Sequence, residues 1–81
     1  MDKVKLNNSL SHFRCKAGLT QTDLARICGV SKNCISAIER GCWYPSLKLA
    51  LKLSFVLMVS VHDIFWLCDL SADEWQYPDI D

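Results

Sequence analysis

Apolar residues recur at helical spacing in several stretches of this chain, separated by polar or glycine punctuation. Leu10, Phe13 and Ala17 stand at i, i+3 and i+7, which is one face of a helix. Its start is read at Leu6-Asn7-Asn8, with Asn7 or Asn8 as cap and Leu6 stapling onto Leu10. Its end falls at Ala17-Gly18. A second helix opens at Thr20, whose hydroxyl can accept from the first turn while Asp23 reaches back in a capping box. Leu24, Ala25 and Cys28 give it one apolar face. Gly29 stands where a helix often ends in a left-handed residue, and Val30 returns to the core. Ser31 then caps a third helix, in which Ile35 and Ile38 point inward with small Ala37 beside them.

A fourth helix opens at Pro45-Ser46-Leu47. Leu47, Ala50, Leu51, Ser54, Leu57 and Met58 make one stripe, and Leu49, Leu53 and Val56 a second. Only Lys48, Lys52 and Phe55 remain, so Phe55 sits in an otherwise charged row. A helix this apolar must be enclosed on several sides or shown to a partner. Ser60-Val61-His62-Asp63 is another capping box and begins a short fifth helix with Ile64 and Phe65. Phe65–Cys68 is rich in strand-forming residues. These patterns predict an all-α, five-helix domain over residues 1–68, with a short strand allowed at its C-terminal end. An acidic, aromatic tail, 69–81, follows, and it is read either as partly disordered or as docking Trp75 and Tyr77 back on the domain.

Composition changes this picture in three ways. The 51% hydrophobic fraction suffices for one small core, with the thin stability margin of an 81-residue chain. No apolar run stands behind the charges of MDKVKLNNS. The longest such run, Leu53–Val61, is far below the ~20 residues a bilayer needs. A cytoplasmic protein without membrane attachment is therefore expected. The five cysteines (15, 28, 34, 42, 68) are odd in number and form no C-x-x-C pair. That argues against a disulfide framework and against a zinc site, so no metal or other cofactor is expected.

The zero net charge conceals a polarity. All nine Lys and Arg lie in residues 1–52 against three acids, a net +6, whereas residues 53–81 hold six acids and no cation. A basic half suits phosphates. The third helix sharpens this. Lys32, Asn33, Cys34, Ser36 and Arg40 face away from Ile35 and Ile38, as small or hydrogen-bonding groups with a cation at each end. A helix roughly 10–12 Å wide with such a face fits the major groove, whose base edges offer donors, acceptors and thymine methyls. No catalytic constellation is found: there is no glycine-rich phosphate loop and no acid pair beside a histidine. His12 and His62 read as surface residues.

Residues Asn8 to about Phe65 resemble the Xre/Cro-type, lambda-repressor-like helix-turn-helix regulators. The resemblance rests on Arg14, Leu19-Thr20-Gln21, Leu24-Ala25, Gly29-Val30-Ser31, Ile35-Ser36, Ile38-Glu39, Gly41 and Pro45-Ser46-Leu47. It implies a bacterial or phage-borne transcription regulator, not an enzyme, bound to double-stranded DNA. Lys32, Asn33, Cys34, Ser36 and Ala37 are then expected at base edges, and Gln21, Arg40 and Tyr44 at phosphates. The resemblance also pairs Arg14 with Glu39, clamping the first helix to the third. Two positions depart from the family. Cys42 and Trp43 occupy a loop that usually carries a Lys or Arg, and Met58 stands where relatives often have glycine.

One recognition helix reads only a few base pairs, so a homodimer on a near-palindrome is expected, with Phe55, Phe65, Trp66 and Leu67 as its interface. A different class stays open: an interaction module on the same fold, such as an antitoxin binding a toxin partner or a coactivator-type adaptor. Oxidation of Cys34 on the outward face would block DNA binding, but a sensor needs an exposed thiol of low pKa.

Overall fold

Strand β1 (Lys5–Asn8) stands where the pattern predicts the start of the first helix. It pairs antiparallel with β2 (Phe65–Cys68), matching Leu6 to Leu67 and Asn8 to Phe65. Between them run α1 (Leu10–Lys16), α2 (Gln21–Cys28), α3 (Lys32–Glu39), α4 (Leu47–Leu57) and α5 (Val61–Ile64). This is a computed structural model, and it describes residues 5–68. The tail with Trp75 and Tyr77 lies outside the described residues.

The N-terminal misreading has a physical cause. Leu6 pairs its backbone with Leu67, far along the chain, and packs from the strand onto the core. Helix α1 starts later, with Ser9 at the N-cap position and no side-chain bond from it to the helix. Asn8 still serves the helix end, because its Oδ1 accepts from the Leu10 N–H at 3.1 Å. Ser9 is used elsewhere: its N–H donates to the Ile64 carbonyl at 2.8 Å and its hydroxyl to that of Asp63 at 2.9 Å. These bonds tie the entry of α1 to the end of α5. Ala17, expected on the core face, is exposed just past the helix end, and Leu10 and Phe13 carry the packing of α1.

The local stop and start signals of α2, α3 and α5 act as read. Thr20 Oγ1 accepts from the Asp23 N–H at 3.0 Å, and the Asp23 carboxylate accepts from the Thr20 N–H at 3.0 Å. The Thr20 N–H bond first, and then the Thr20 hydroxyl, hold the Asp23 carboxyl below its ordinary range. Gly29 closes α2 at φ +74°, a left-handed backbone that costs glycine nothing sterically. Ser31 caps α3 through the Cys34 N–H, and Ser60 with Asp63 forms the second capping box.

The core gathers Leu10, Leu24, Ala25, Cys28, Ile35, Ile38, Leu49, Ala50, Leu53, Leu57, Ile64 and Phe65. Phe65 is 6% exposed and closes the domain's own interior, so it is not available to a second copy. Helix α4 sends Leu49, Ala50, Leu53 and Leu57 inward. Its other apolar residues, Leu47, Leu51, Phe55 and Met58, stay in water.

Met58 ends α4 at φ +59°, the one non-glycine residue with positive φ among the described residues. Its carbonyl-side crowding costs about 1–2 kcal/mol relative to glycine in this conformation. Its side chain is 88% exposed and gains little packing in return. Met58→Gly is therefore expected to raise unfolding stability by about 1 kcal/mol, after the extra chain entropy of glycine is set against the relieved strain. An unchanged or lower urea midpoint would contradict a strained cap.

Candidate nucleic-acid interface

Helix α3 is anchored by its C-terminal residue. Glu39 faces Arg14 of α1, with Nε donating to Oε2 at 2.7 Å and Nη2 to Oε1 at 3.3 Å. The fork is two-pronged, a geometry in which a guanidinium holds a carboxylate in one orientation. Arg14 Nη1 donates in addition to the Leu19 carbonyl at 2.9 Å. The Glu39 bonds, ahead of the opposing effect of burial, push the Arg14 guanidinium pKa up. The side chains are only 13% and 7% exposed. That separates this pair from exposed ion pairs, worth about 0–1 kcal/mol, and places it nearer those whose rupture costs about 3–5 kcal/mol.

Gln21 joins the same carboxylate. Its Nε2 donates to Glu39 Oε1 at 2.9 Å. The side-chain amide is thus committed inside the protein, where a phosphate contact was expected of it. Asn8 adds a further tie, its Nδ2 donating to the Ile38 carbonyl at 2.9 Å. A helix C-terminus leaves its last carbonyls without helical partners, and Asn8 satisfies one of them. Sequence reasoning found Arg14 and Glu39 through the resemblance but missed Asn8 and the bond of Gln21 to Glu39. Neither amide carries a local pattern that reveals a partner in a distant element.

With Ile35 and Ile38 buried, helical geometry sends Asn33, Ser36, Ala37 and Arg40 to the far side and Lys32 to the shoulder. Lys32, Asn33 and Arg40 are exposed; Ser36 and Ala37 are half-buried. Cys34 differs from its expected neighbours. It packs on the core and lines a small cavity with Cys28, Val30 and Trp43. Burial pushes its thiol pKa up, and that of Cys28 likewise. Little thiolate forms under such conditions, so the redox reading of Cys34 gains nothing from its surroundings. All five cysteines are free thiols. In the loop after α3, Trp43 and Tyr44 are 49% and 55% exposed. Arg40 Nη1 lies 3.6 Å from the Cys42 sulfur. Phe55, 85% exposed, lines an apolar groove with Ile27 and Lys52, and Trp66 and Leu67 lie on the strand. Among the described residues there is no group of three or more metal-ligating side chains, and no helix is long and apolar enough to cross a membrane.

A capped α2, a left-handed glycine turn and a short α3 with a polar outer face, clamped from behind, define a helix-turn-helix DNA-binding domain. Residues 10–64 match the model of the helix-turn-helix family HTH_3. An uncharacterized HTH-type transcriptional regulator of Methanocaldococcus jannaschii is 47% identical over 60 residues, covering 74% of this chain and 91% of the relative. The N-terminal DNA-binding domain of SinR from Bacillus subtilis superposes with a TM-score of 0.61 at 39% identity, over 65% of this chain and 78% of that one. The restriction-modification controller protein C.AhdI from Aeromonas hydrophila gives 0.62 at 31% identity, over 67% and 82%. The chain belongs to the Xre/lambda-repressor-like helix-turn-helix family of transcription regulators, which are not enzymes. Its relatives include an archaeal protein, so the family is wider than the bacterial and phage setting read from the sequence.

The clamp makes a direct prediction. Glu39→Ala alone is expected to cost about 3 kcal/mol, because it strands a nearly buried guanidinium. Adding Arg14→Ala is expected to cost far less than a second independent loss, with a coupling of about 1–3 kcal/mol in the double-mutant cycle. Additive single mutants in thermal or urea unfolding would show that the two groups do not act together.

Proposed function

We propose that this protein is a homodimeric, sequence-specific regulator that reads a near-palindromic operator through α3. The observation that carries the reading is the polar outer face of α3 held rigidly by the Glu39 clamp. A side chain can discriminate bases only if its helix is fixed to within a fraction of an ångström. Asn33 suits a bidentate bond to adenine, and Lys32 suits guanine O6 and N7. Ser36 and Ala37 are short enough to let the helix approach, with the alanine methyl suited to thymine. Cys34 touches the groove only from the helix's inner shoulder. Arg40 and Tyr44 take phosphates, and Gln21 acts as a positioning residue behind α3. SinR, at 39% identity, has been solved in complex with DNA, which supports the same role for this chain. A cytoplasmic location goes with this reading.

Dimerisation is assigned to strand β2, whose Trp66 and Leu67 leave apolar surface on the two faces of the strand pair. Trp66 and Leu67 are 40% and 46% exposed, large apolar groups of the kind that fill interface centres. Two copies joined there can set two α3 helices on half-sites about 34 Å apart.

Two measurements bear on this. Asn33→Ala is expected to lose about 1–3 kcal/mol on a site selected from random duplexes and little on unrelated DNA. Equal losses on both would move Asn33 to the backbone. Absence of any duplex shift at low salt would favour the adaptor or antitoxin class. In sedimentation at micromolar concentration, the unsubstituted chain is expected to run as a dimer and Trp66→Ala to shift toward monomer. A monomer throughout would refute the dimer.

A further inference from the structure

The outer face of α4 and the end of α2 enclose an apolar groove of about 610 Å³ that the DNA reading leaves unused. Ile27, Leu51 and Phe55 form its walls, exposed by 52%, 54% and 85%. Val56 lines it as well, and Lys48 and Lys52 stand at its edge. Lys52 Nζ is held there by the Cys28 carbonyl, at 3.3 Å. Contiguous large apolar side chains in water mark a surface that is covered in use.

We propose that the groove is the docking site of this chain's own acidic tail, residues 69–81. The chemistry of the two matches. The groove is apolar with a cationic edge. The tail, DLSADEWQYPDID, sets Leu70, Trp75, Tyr77 and Ile80 among five acids and carries no cation. The described residues hold eight Lys and Arg against three acids, so the tail's charge is opposite to that of the body it meets. The length also fits. From Phe55 the backbone runs through the end of α4, one turn, α5 and β2 to Cys68. That path is at most roughly 30 Å at full stretch. From Cys68, seven residues bring Trp75 back by about 23 Å before its side chain is counted, and all thirteen reach about 43 Å. Aromatic rings then enter the groove while the acids beside them meet Lys48 and Lys52. An intramolecular segment needs only modest affinity, since its tether keeps its local concentration high. The proposal does not depend on DNA binding or on the dimer.

Nuclear Overhauser spectra of the unsubstituted full chain test it first. Cross-peaks between Trp75 ring protons and the Leu51 methyl or Phe55 ring protons are expected. Acrylamide quenching then tests the groove. With Trp43→Phe and Trp66→Phe, Trp75 is the remaining tryptophan, and its emission is expected to be blue-shifted and protected at all concentrations. Adding Leu51→Asp, at an exposed position, is expected to return it to solvent-like emission without loss of helical circular dichroism. Three results would overturn the proposal: no cross-peaks, solvent-like emission before the groove is altered, or protection unchanged by Leu51→Asp. Protection that vanishes on dilution would assign the groove to a second copy and overturn it equally.

Discussion

The carboxylate of Glu39 is the point on which the placement of α3 depends. It accepts from Arg14 twice and from Gln21 once, so α1 and α2 both hold the C-terminal end of α3. A carboxylate removed from water is costly unless its lone pairs are filled, and here three charge-assisted or amide bonds fill them. The same group could not be exchanged for glutamine without losing the fork to the guanidinium. Asn8 finishes the arrangement by bonding the neighbouring Ile38 carbonyl. The N-terminal strand thereby becomes part of the support of α3, and the sheet it forms with β2 is coupled to that helix through one side-chain amide.

This support explains how an eight-residue helix can present a defined surface. A helix so short has little stability alone, and it persists because its inner residues are buried and its ends are fixed. Ser31 fixes the first turn and Glu39 the last, leaving the outer side chains free of structural duty. Helix α4 takes the complementary part. It fills the core with Leu49, Leu53 and Leu57 and leaves Leu47, Leu51 and Phe55 exposed on the outside.

Much of this was legible in the sequence, and the failures share a cause. Thr20 with Asp23, Ser31, Ser60 with Asp63 and Gly29 act through bonds or dihedrals within a few residues, so local pattern finds them. The strand at Lys5–Asn8 depends on a partner about sixty residues away and leaves no such trace. Phe65 was assigned to an interface because it adjoins Trp66 and Leu67, yet it sits at the end of α5, turned away from Trp66, and packs into the core. Gln21 was read for a phosphate because its place at a helix N-terminus permits one, and its bond to Glu39, eighteen residues away, left no local trace. Helix α4 is apolar nearly all round, and such a pattern does not say which stripe is buried.

Chemical-shift mapping with a duplex selected from a random pool would test the central claim most directly. The clamped face of α3 is expected to carry the largest amide and side-chain shifts, at Lys32, Asn33, Ser36 and Ala37. Smaller shifts are expected at Arg40 and Tyr44, and the Arg14–Glu39–Gln21 cluster should stay in its free-state geometry. Largest shifts on the strand pair or on the outer face of α4, with α3 unmoved, would contradict the account.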